Sequence, residues 1–437
     1  MAVRERGPRR RGSVLFVGIN YAPEPTGISP YTTGMAEGLA ARGWDVGVLT
    51  SYPHYPWWTV PAEHDALPSV SDVRGVRLRR LRHYIPRHPS SLRRALFELA
   101  FGVRAVCSHW GRPDAVVAVS PALLASRLVA LRARMQRIPV ITWVQDIYAL
   151  GVTETGGGTG ARAIAAIERG LAQSSQRVVV IHDRFHRMMR DDLDVTRPID
   201  VVRNWSHVPD MDGRHRSETR GRLGWADDDI IVLHAGAMGA KQGLENVIEA
   251  ARIGATAGSR VRFVLLGDGN QRAALQALPG SHLVTFIDPL PDDEFYAALS
   301  AADALLVNER PGLTEMSVPS KLTTYFATGL PVIAAADASS TTYGEIAAAS
   351  AGPIVPAGDP AALVAAAEDI GADPARAARH GEAARAYRDR LLTAEAAING
   401  FEDVLARTLD AARPERSRET VVLGEPLADA TDTHSAL

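Results

Sequence analysis

The sequence predicts an α/β protein built from two Rossmann-like, doubly wound parallel-sheet domains. Three observations carry that expectation. Short, mainly apolar runs, such as residues 13–19, 140–144, 230–234 and 261–266, recur in both halves, as buried strands of a parallel sheet require. Helix-spaced segments alternate with them, which makes strand–helix–strand units. At 437 residues the chain is too long for one ordinary core and suggests two domains.

Composition narrows the class. Hydrophobic residues make up 46% and charged residues 22%, as in a soluble globular protein. The net charge of −2 creates no global field for nucleic acid, and no nucleic-acid partner is expected. A single cysteine, Cys107, excludes an internal disulfide and fits a reducing cytoplasm. It sits on a helical pattern and reads as buried filler rather than a nucleophile. The apolar run after Arg9-Arg10-Arg11 stops at Asn20, too short for a signal core. No uninterrupted apolar stretch reaches the ~18 residues of a membrane span.

In the first half, residues 1–12 are basic and expected to be disordered. A strand over 13–19, a helix over 31–42 closed by Gly43, and a strand over 45–50 form the first unit. The loop over 22–29 follows the first strand, where open α/β sheets bind ligands. Gly27 there either lets backbone approach a ligand or makes a simple turn. The loop lacks GxGxxG, so no dinucleotide fingerprint is present. Tyr52, His54, Tyr55, Trp57 and Trp58 crowd a Pro-broken loop, which either stacks on a sugar or lipid head group or packs on its own domain. Eight arginines lie between Arg74 and Arg94, ahead of the apolar helix start at residues 96–101. Basic residues beside an apolar face suit an anionic membrane surface; a solvated face is the plainer alternative. Further strands are read at 115–119, 140–144, 178–181 and 200–202. Asp146 follows the second of these, as a site carboxylate or a helix N-cap. Gly156 to Gly160 read as a mobile loop before a helix over 161–172, since no GK[ST] follows. Asn204 ends the last strand and can reach a cleft.

Residues 206–224 are polar and arginine-rich, as a linker should be, and Asp227-Asp228-Asp229 is a turn. Strands are read at 230–234, 261–266, 284–287, 304–307 and 332–335. Only two of the 48 basic residues are lysine, Lys241 and Lys321. Each sits in a Gly- or Pro-marked loop that runs into a helix. An ammonium is a compact point charge, and a helix N-terminus favours an anion. Both lysines are therefore expected to face one diphosphate. Gly267-Asp268-Gly269 is a turn that would let backbone approach the same ligand. Residues 359–411 read as helical and 412–437 as disordered.

Taken in order, certain stretches resemble the retaining, nucleotide-sugar-dependent glycosyltransferases of family four, of the GT-B type. They are residues 20–31 with Tyr-Ala-Pro-Glu-Pro-Thr-Gly-Ile, 50–56, Val144-Gln145-Asp146, 239–244, 266–269, and Val318-Pro319-Ser320-Lys321-Leu322 through residue 334. The likeness is nearest to the exopolysaccharide, O-antigen and colanic-acid branch. It implies two domains facing a cleft, with a last helix crossing back to the first. On that basis residues 13–205 would form the acceptor domain and 225–390 the donor domain, joined by 206–224. Residues 391–411 would be the returning helix, with tails at 1–12 and 412–437. In that frame Lys241, Lys321 and Asp146, already marked by their loop positions, are read as catalytic. Gly236, Gly239, Gly267, Asp268, Gly269, Glu315, Pro319, Ser320 and Thr324 fall on the donor side; Gly27, Tyr52, His54 and Asn204 fall on the acceptor side.

The family's paired glutamates fall here on Met316 and Thr324, with Glu315 one position off. Its loop arginine is Ala237, and its histidine after the fourth strand appears as Gln145-Asp146. No DxD pair sits in a suitable loop, so neither metal nor cofactor is expected beyond the nucleotide sugar. The acceptor is expected to be a lipid-linked or soluble glycan, and the location cytoplasmic or peripheral at the inner face of a membrane. The competing readings are a nucleotide-sugar 2-epimerase of the same fold and a non-catalytic sugar-nucleotide-binding partner in polysaccharide assembly.

Overall fold

The structure, a computed structural model, describes residues 11–24, 27–148, 158–206, 208, 215–312 and 320–412. The first lobe is an eight-stranded sheet in the order β3-β4-β2-β1-β5-β6-β7-β8. Its strands are β1 (Ser13–Val17), β2 (Asp45–Ser51), β3 (Val70–Val73), β4 (Val76–Leu81), β5 (Ala115–Ser120), β6 (Val140–Val144), β7 (Arg177–Val180) and β8 (Ile199–Val201). The second lobe is a six-stranded sheet, β11-β10-β9-β12-β13-β14. It comprises β9 (Ile230–Ala235), β10 (Val261–Leu266), β11 (Thr285–Ile287), β12 (Ala304–Asn308), β13 (Val332–Ala335) and β14 (Ile354–Val355). Every pairing is parallel except the β3–β4 hairpin.

This topology decides where ligands can go. The winding direction reverses beside β1, which pairs with both β2 and β5, and again beside β9, which pairs with β10 and β12. At such a reversal the flanking loops splay apart and open a crevice at the carboxyl ends of the strands.

The central strands are fully buried, as their unbroken apolar runs demanded: β5, β6 and β9 carry no exposed residue. The helix Ala394–Ala412 returns to the first lobe. Its Phe401 stacks on Phe16, centroids 5.9 Å apart, and meets Trp143 edge-on at 5.1 Å. Glu402 on the same helix accepts from Trp44 Nε1 at 2.8 Å and from Arg42 Nη1 at 2.7 Å. Arg11, expected in a disordered tail, also reaches Glu402, at 2.6 Å; residues 1–10 and 413–437 lie outside the described part.

Four readings need correction. Within the arginine-rich stretch after residue 74, residues 76–81 form strand β4, whose Val76 and Leu78 point inward. Arg80 is buried and donates to the Ala22 carbonyl, while Arg74, Arg77 and Arg82 pair with Glu37, Asp45 and Asp65. The alternation of apolar and arginine positions was the strand signal. Part of the polar stretch read as a linker is a helix, Arg216–Leu223, held by Arg216 and Arg220 on Asp303. Cys107 is exposed, because it lies on the outer face of the helix Ser91–Cys107. Of the glycine run, Gly156 and Gly157 lie outside the described residues, and the helix that follows already begins at Gly158.

The helix Pro374–Leu391 presses on the turn that ends the Lys321 helix. A Cβ on Gly381 would stand 1.8 Å from the Gly329 carbonyl oxygen. Gly381→Ala should therefore destabilise by about 1–3 kcal/mol through overpacking. Helix propensity alone would give a gain of up to about 1 kcal/mol. Denaturant unfolding reads the sign, and a stabilised variant would contradict the close contact.

Candidate active site

In the first lobe the loops after β1, β2, β5 and β6 enclose a cavity of about 250 Å³. Gly27, His54 and Asp146 line it, together with Asn20, Trp58, Arg94, Glu98 and Tyr148. Glu24 organises the rim. It is 3% exposed, and its Oε1 accepts from the backbone N–H groups of His54 at 2.7 Å and Tyr55 at 3.0 Å. Its Oε2 accepts from Asn20 Nδ2 at 2.8 Å. One buried carboxylate thus ties the loops after β1 and β2 together. Gly27 has φ +69°, and the Tyr55 ring stands 3.5 Å from where its Cβ would be. The His54 Nδ1–H donates to the Tyr52 carbonyl at 2.9 Å, leaving the ring edge beside Trp58 and Phe97. The Asp146 side chain opens toward the cavity, yet its walls desolvate it and hold its pKa above the usual carboxylate range.

Two expected acceptor-side residues take other roles. Tyr52 does not line the cavity: it is buried, with its hydroxyl on the Leu67 carbonyl at 3.2 Å and Arg82 over its ring. The dense aromatic loop therefore divides, with Tyr52 and His54 turned inward and Tyr55 and Trp57 exposed. Asn204 donates from Nδ2 to Gln145 Oε1 at 2.8 Å, bracing the segment that carries Asp146 rather than meeting the cavity.

The second lobe brings its loops together by backbone contact. Gly236 N–H donates to Leu266 O and Met238 N–H to Asp268 O, both at 2.9 Å. A Cβ on Gly267 would lie 2.2 Å from Gly236 O, and one on Gly269 2.4 Å from Met238 O. These glycines permit the two loops to pack backbone to backbone. The Asp268 carboxylate folds onto the Gly269 N–H at 2.8 Å. Gly239 starts the short turn Ala240–Gln242 and donates to Gln242 Oε1 at 3.0 Å.

Lys241 occupies that turn with its side chain exposed, and its carbonyl accepts from Arg310 N–H at 2.9 Å. Lys321 lies in the first turn of the helix Ser320–Thr328, and its Nζ comes within 3.9 Å of where a Gly236 Cβ would be. Both lysines thus border the same β9 loop. Beneath them His234 is wholly buried; burial, and then the Lys321 charge, hold its ring uncharged. Thr324 is part-buried one turn beyond Lys321. Glu315, Pro319 and the Ser320 side chain lie outside the described residues. A larger groove of about 650 Å³ runs along the flank of the first lobe past Ser13, Asp45 and Pro113, apart from all these loops.

Glu98 and Glu24 were not singled out from sequence. Their signal was too diffuse, since a carboxylate on an amphipathic helix usually faces water. Glu98 instead turns into the cavity wall. Burial lifts its pKa to about 7, against the opposing effects of the Leu124 N–H and the Arg94 charge. The folded protein therefore keeps this proton where the unfolded chain loses it near the ordinary glutamate value of about 4.3. Ionisation favours unfolding, so this contribution to stability falls as pH rises from that value to about 7. Glu98→Gln should raise the melting temperature relative to the parent at pH 8 and leave it unchanged at pH 4; equal shifts at both would exclude the buried acid.

Comparison with known proteins identifies the family of the two-lobed chain. Residues 26–205 match the glycosyl transferase 4-like domain, and residues 215–387 match glycosyl transferases group 1. A protein of Escherichia coli (strain K12) that carries the name colanic acid biosynthesis glycosyl transferase WcaI is 31% identical over 349 residues. The match covers 74% of this chain and 83% of that one. Sucrose-phosphate synthase from Thermosynechococcus elongatus superimposes with a TM-score of 0.66 at 21% identity, covering 92% of this chain and 100% of that chain. Anabaena HepE in complex with UDP gives 0.64 at 15% identity, covering 90% and 100%. The chain therefore belongs to the glycosyltransferases that join a 4-like amino-terminal domain to a group 1 carboxy-terminal domain in a GT-B fold.

Proposed function

We propose that this glycosyltransferase moves a sugar, with retention, from a nucleotide-diphosphate sugar to a hydroxyl of a lipid-linked glycan during cell-surface polysaccharide assembly. The observation that carries the donor half is the position of Lys321 Nζ against Gly236, in the loop that also leads to Lys241. Breaking the sugar–phosphate bond leaves growing negative charge on the nucleotide diphosphate. Two ammonium groups bordering one loop can stabilise that charge without a metal ion. Loop N–H groups near Gly239 and Ser320 would share the work, with Glu315, Pro319 and Thr324 on the sugar and ribose side. The bound UDP in Anabaena HepE and the colanic-acid name of the Escherichia coli relative support the substrate class and the pathway type. In this reading the acceptor enters the first-lobe cavity beside Gly27, His54 and Asp146. Nothing favours epimerisation over transfer.

The helix Ser91–Cys107 supports the lipid-linked part. Its inner face supplies Arg94, Phe97 and Glu98 to the cavity wall. Its outer face exposes Leu92, Leu96, Leu99 and Val103 in one stripe, continued by Cys107 and flanked by Arg93 and Arg104. An apolar stripe edged with guanidinium groups suits an anionic membrane surface. The docking face is thus this helix rather than the whole Arg74–Arg94 stretch, of which Arg77, Arg79 and Arg80 lie in strand β4. Among the described residues no helix is long and apolar enough to cross a membrane. A cytoplasmic enzyme resting on the inner membrane face follows from this reading.

Two experiments test the proposal. Lys241→Ala and Lys321→Ala should each lower sugar transfer about 10²-fold or more, the usual effect of one lost transition-state donor. Near-parental rates in both would refute the diphosphate role, and full activity in Lys321→Arg would refute the need for a compact charge. A changed nucleotide sugar formed without acceptor would indicate epimerisation instead. For the membrane face, Leu96→Glu with Val103→Glu should weaken cosedimentation with phosphatidylglycerol vesicles at least about tenfold, since each buried apolar side chain contributes about 1.5–3 kcal/mol. Unaltered sedimentation would remove the helix from the membrane.

A further inference from the structure

The two lobes also meet through a buried polar cluster that the transfer chemistry leaves unused. His182 follows β7 and Arg203 follows β8 in the first lobe. Glu345, on the helix Thr341–Ala349, and Tyr387, on the helix Pro374–Leu391, come from the second. Glu345 Oε1 lies 2.7 Å from His182 Nε2 and 2.7 Å from Arg203 Nη1. The Tyr387 hydroxyl donates to Oε2 at 3.2 Å. His182 Nδ1 accepts from the Arg184 backbone N–H at 3.0 Å, so the neutral ring carries its proton on Nε2 and donates it to Glu345. Arg184 Nη1 donates to Thr341 Oγ1 at 3.0 Å, and Arg203 also pairs with Asp183. His182 and Glu345 are only 6% and 4% exposed.

A buried carboxylate is tolerated because donors surround it, and losing them is costly. Glu345 draws two of its three donors from the opposite lobe. Moving the lobes apart would strip both and leave only Tyr387. The cluster therefore opposes separation more strongly than exposed ion pairs do.

The same helix reaches the donor side. Thr342, three residues before Glu345, donates from Oγ1 to Glu309 Oε1. Glu309 directly follows β12, is 5% exposed, and among the described residues its Oε2 has no hydrogen-bond partner. The next residue, Arg310, donates its N–H to the Lys241 carbonyl at 2.9 Å. One helical turn thus spans the lobe contact and the backbone beside Lys241.

The geometry points to Glu345 as a positioning residue: it latches the lobes in register through His182 and Arg203, and the Thr342–Glu309 contact couples that latch to the donor loops. The coupling rests on the donor assignment proposed above; the latch does not.

The test uses the full chain. Spin labels at native Cys107 and at Ala257→Cys, which are exposed in the first and second lobes, report the distance between them. The protein with no other change should show one narrow distance population without ligand. Glu345→Ala and, from the other lobe, His182→Ala should each broaden or shift it while the thermal unfolding transition stays cooperative. If Glu345→Ala does not fold, His182→Ala reads the same contact. Unchanged distances in the folded variants overturn the latch. UDP binding by calorimetry tests the coupling: Glu345→Ala and Thr342→Val should each weaken it threefold or more. Unchanged affinity in both overturns the coupling. If the parent protein does not bind UDP, the donor assignment falls for that nucleotide, and the unliganded distances still decide the latch.

Discussion

The second lobe depends on two loops packed backbone to backbone. The loop after β9 and the loop after β10 exchange hydrogen bonds through Gly236, Met238, Leu266 and Asp268. They approach so closely that no Cβ fits at Gly267 or Gly269. That contact holds the β9 loop at the carboxyl edge of the sheet, where the helix after β12 can lay Lys321 against it. Parallel pairing between β9 and β12 supplies the rest, because loops that leave adjacent parallel strands at the same end have little freedom to diverge.

The first lobe uses a different device for the same end. There a carboxylate, not glycine packing, joins the loops. Glu24 takes donors from the segments after β1 and β2, and burial makes those bonds costly to break. Around it the cavity gathers groups of unlike character: an exposed-side aspartate, a glutamate whose proton is held by burial, an arginine over Trp58 and an aromatic wall. Such a lining can bind a polar ring with an apolar face, as a sugar is.

The lobes themselves are joined by unlike forces. The helix Ala394–Ala412 buries Phe401, Val404 and Leu405 in the first lobe, a contact driven by apolar area and indifferent to exact geometry. The His182–Glu345–Arg203 cluster is the reverse: small, polar and exacting in direction. Together they allow a firm tether and an oriented contact in one molecule.

The local pattern of the chain specified the elements whose surroundings are uniform. β6 and β13 begin and end where their apolar runs do, because a strand buried on both faces needs only continuous hydrophobicity. The scarcity of lysine singled out Lys241 and Lys321, and the strand–loop–helix order put both at one end of a sheet. Tertiary structure decided what depends on neighbours distant along the chain. Strand β4 hid among arginines until Arg80 found the Ala22 carbonyl. Glu98 became a buried acid only when its helix covered the cavity, and Tyr52 turned from a candidate binder into a packed side chain. Gly267 and Gly269 gained a close loop contact that the motif did not show, and Glu345 gained its meaning from residues 142 and 163 positions away. Periodicity encodes which face of an element is dry; it carries no record of which polar group will be waiting there.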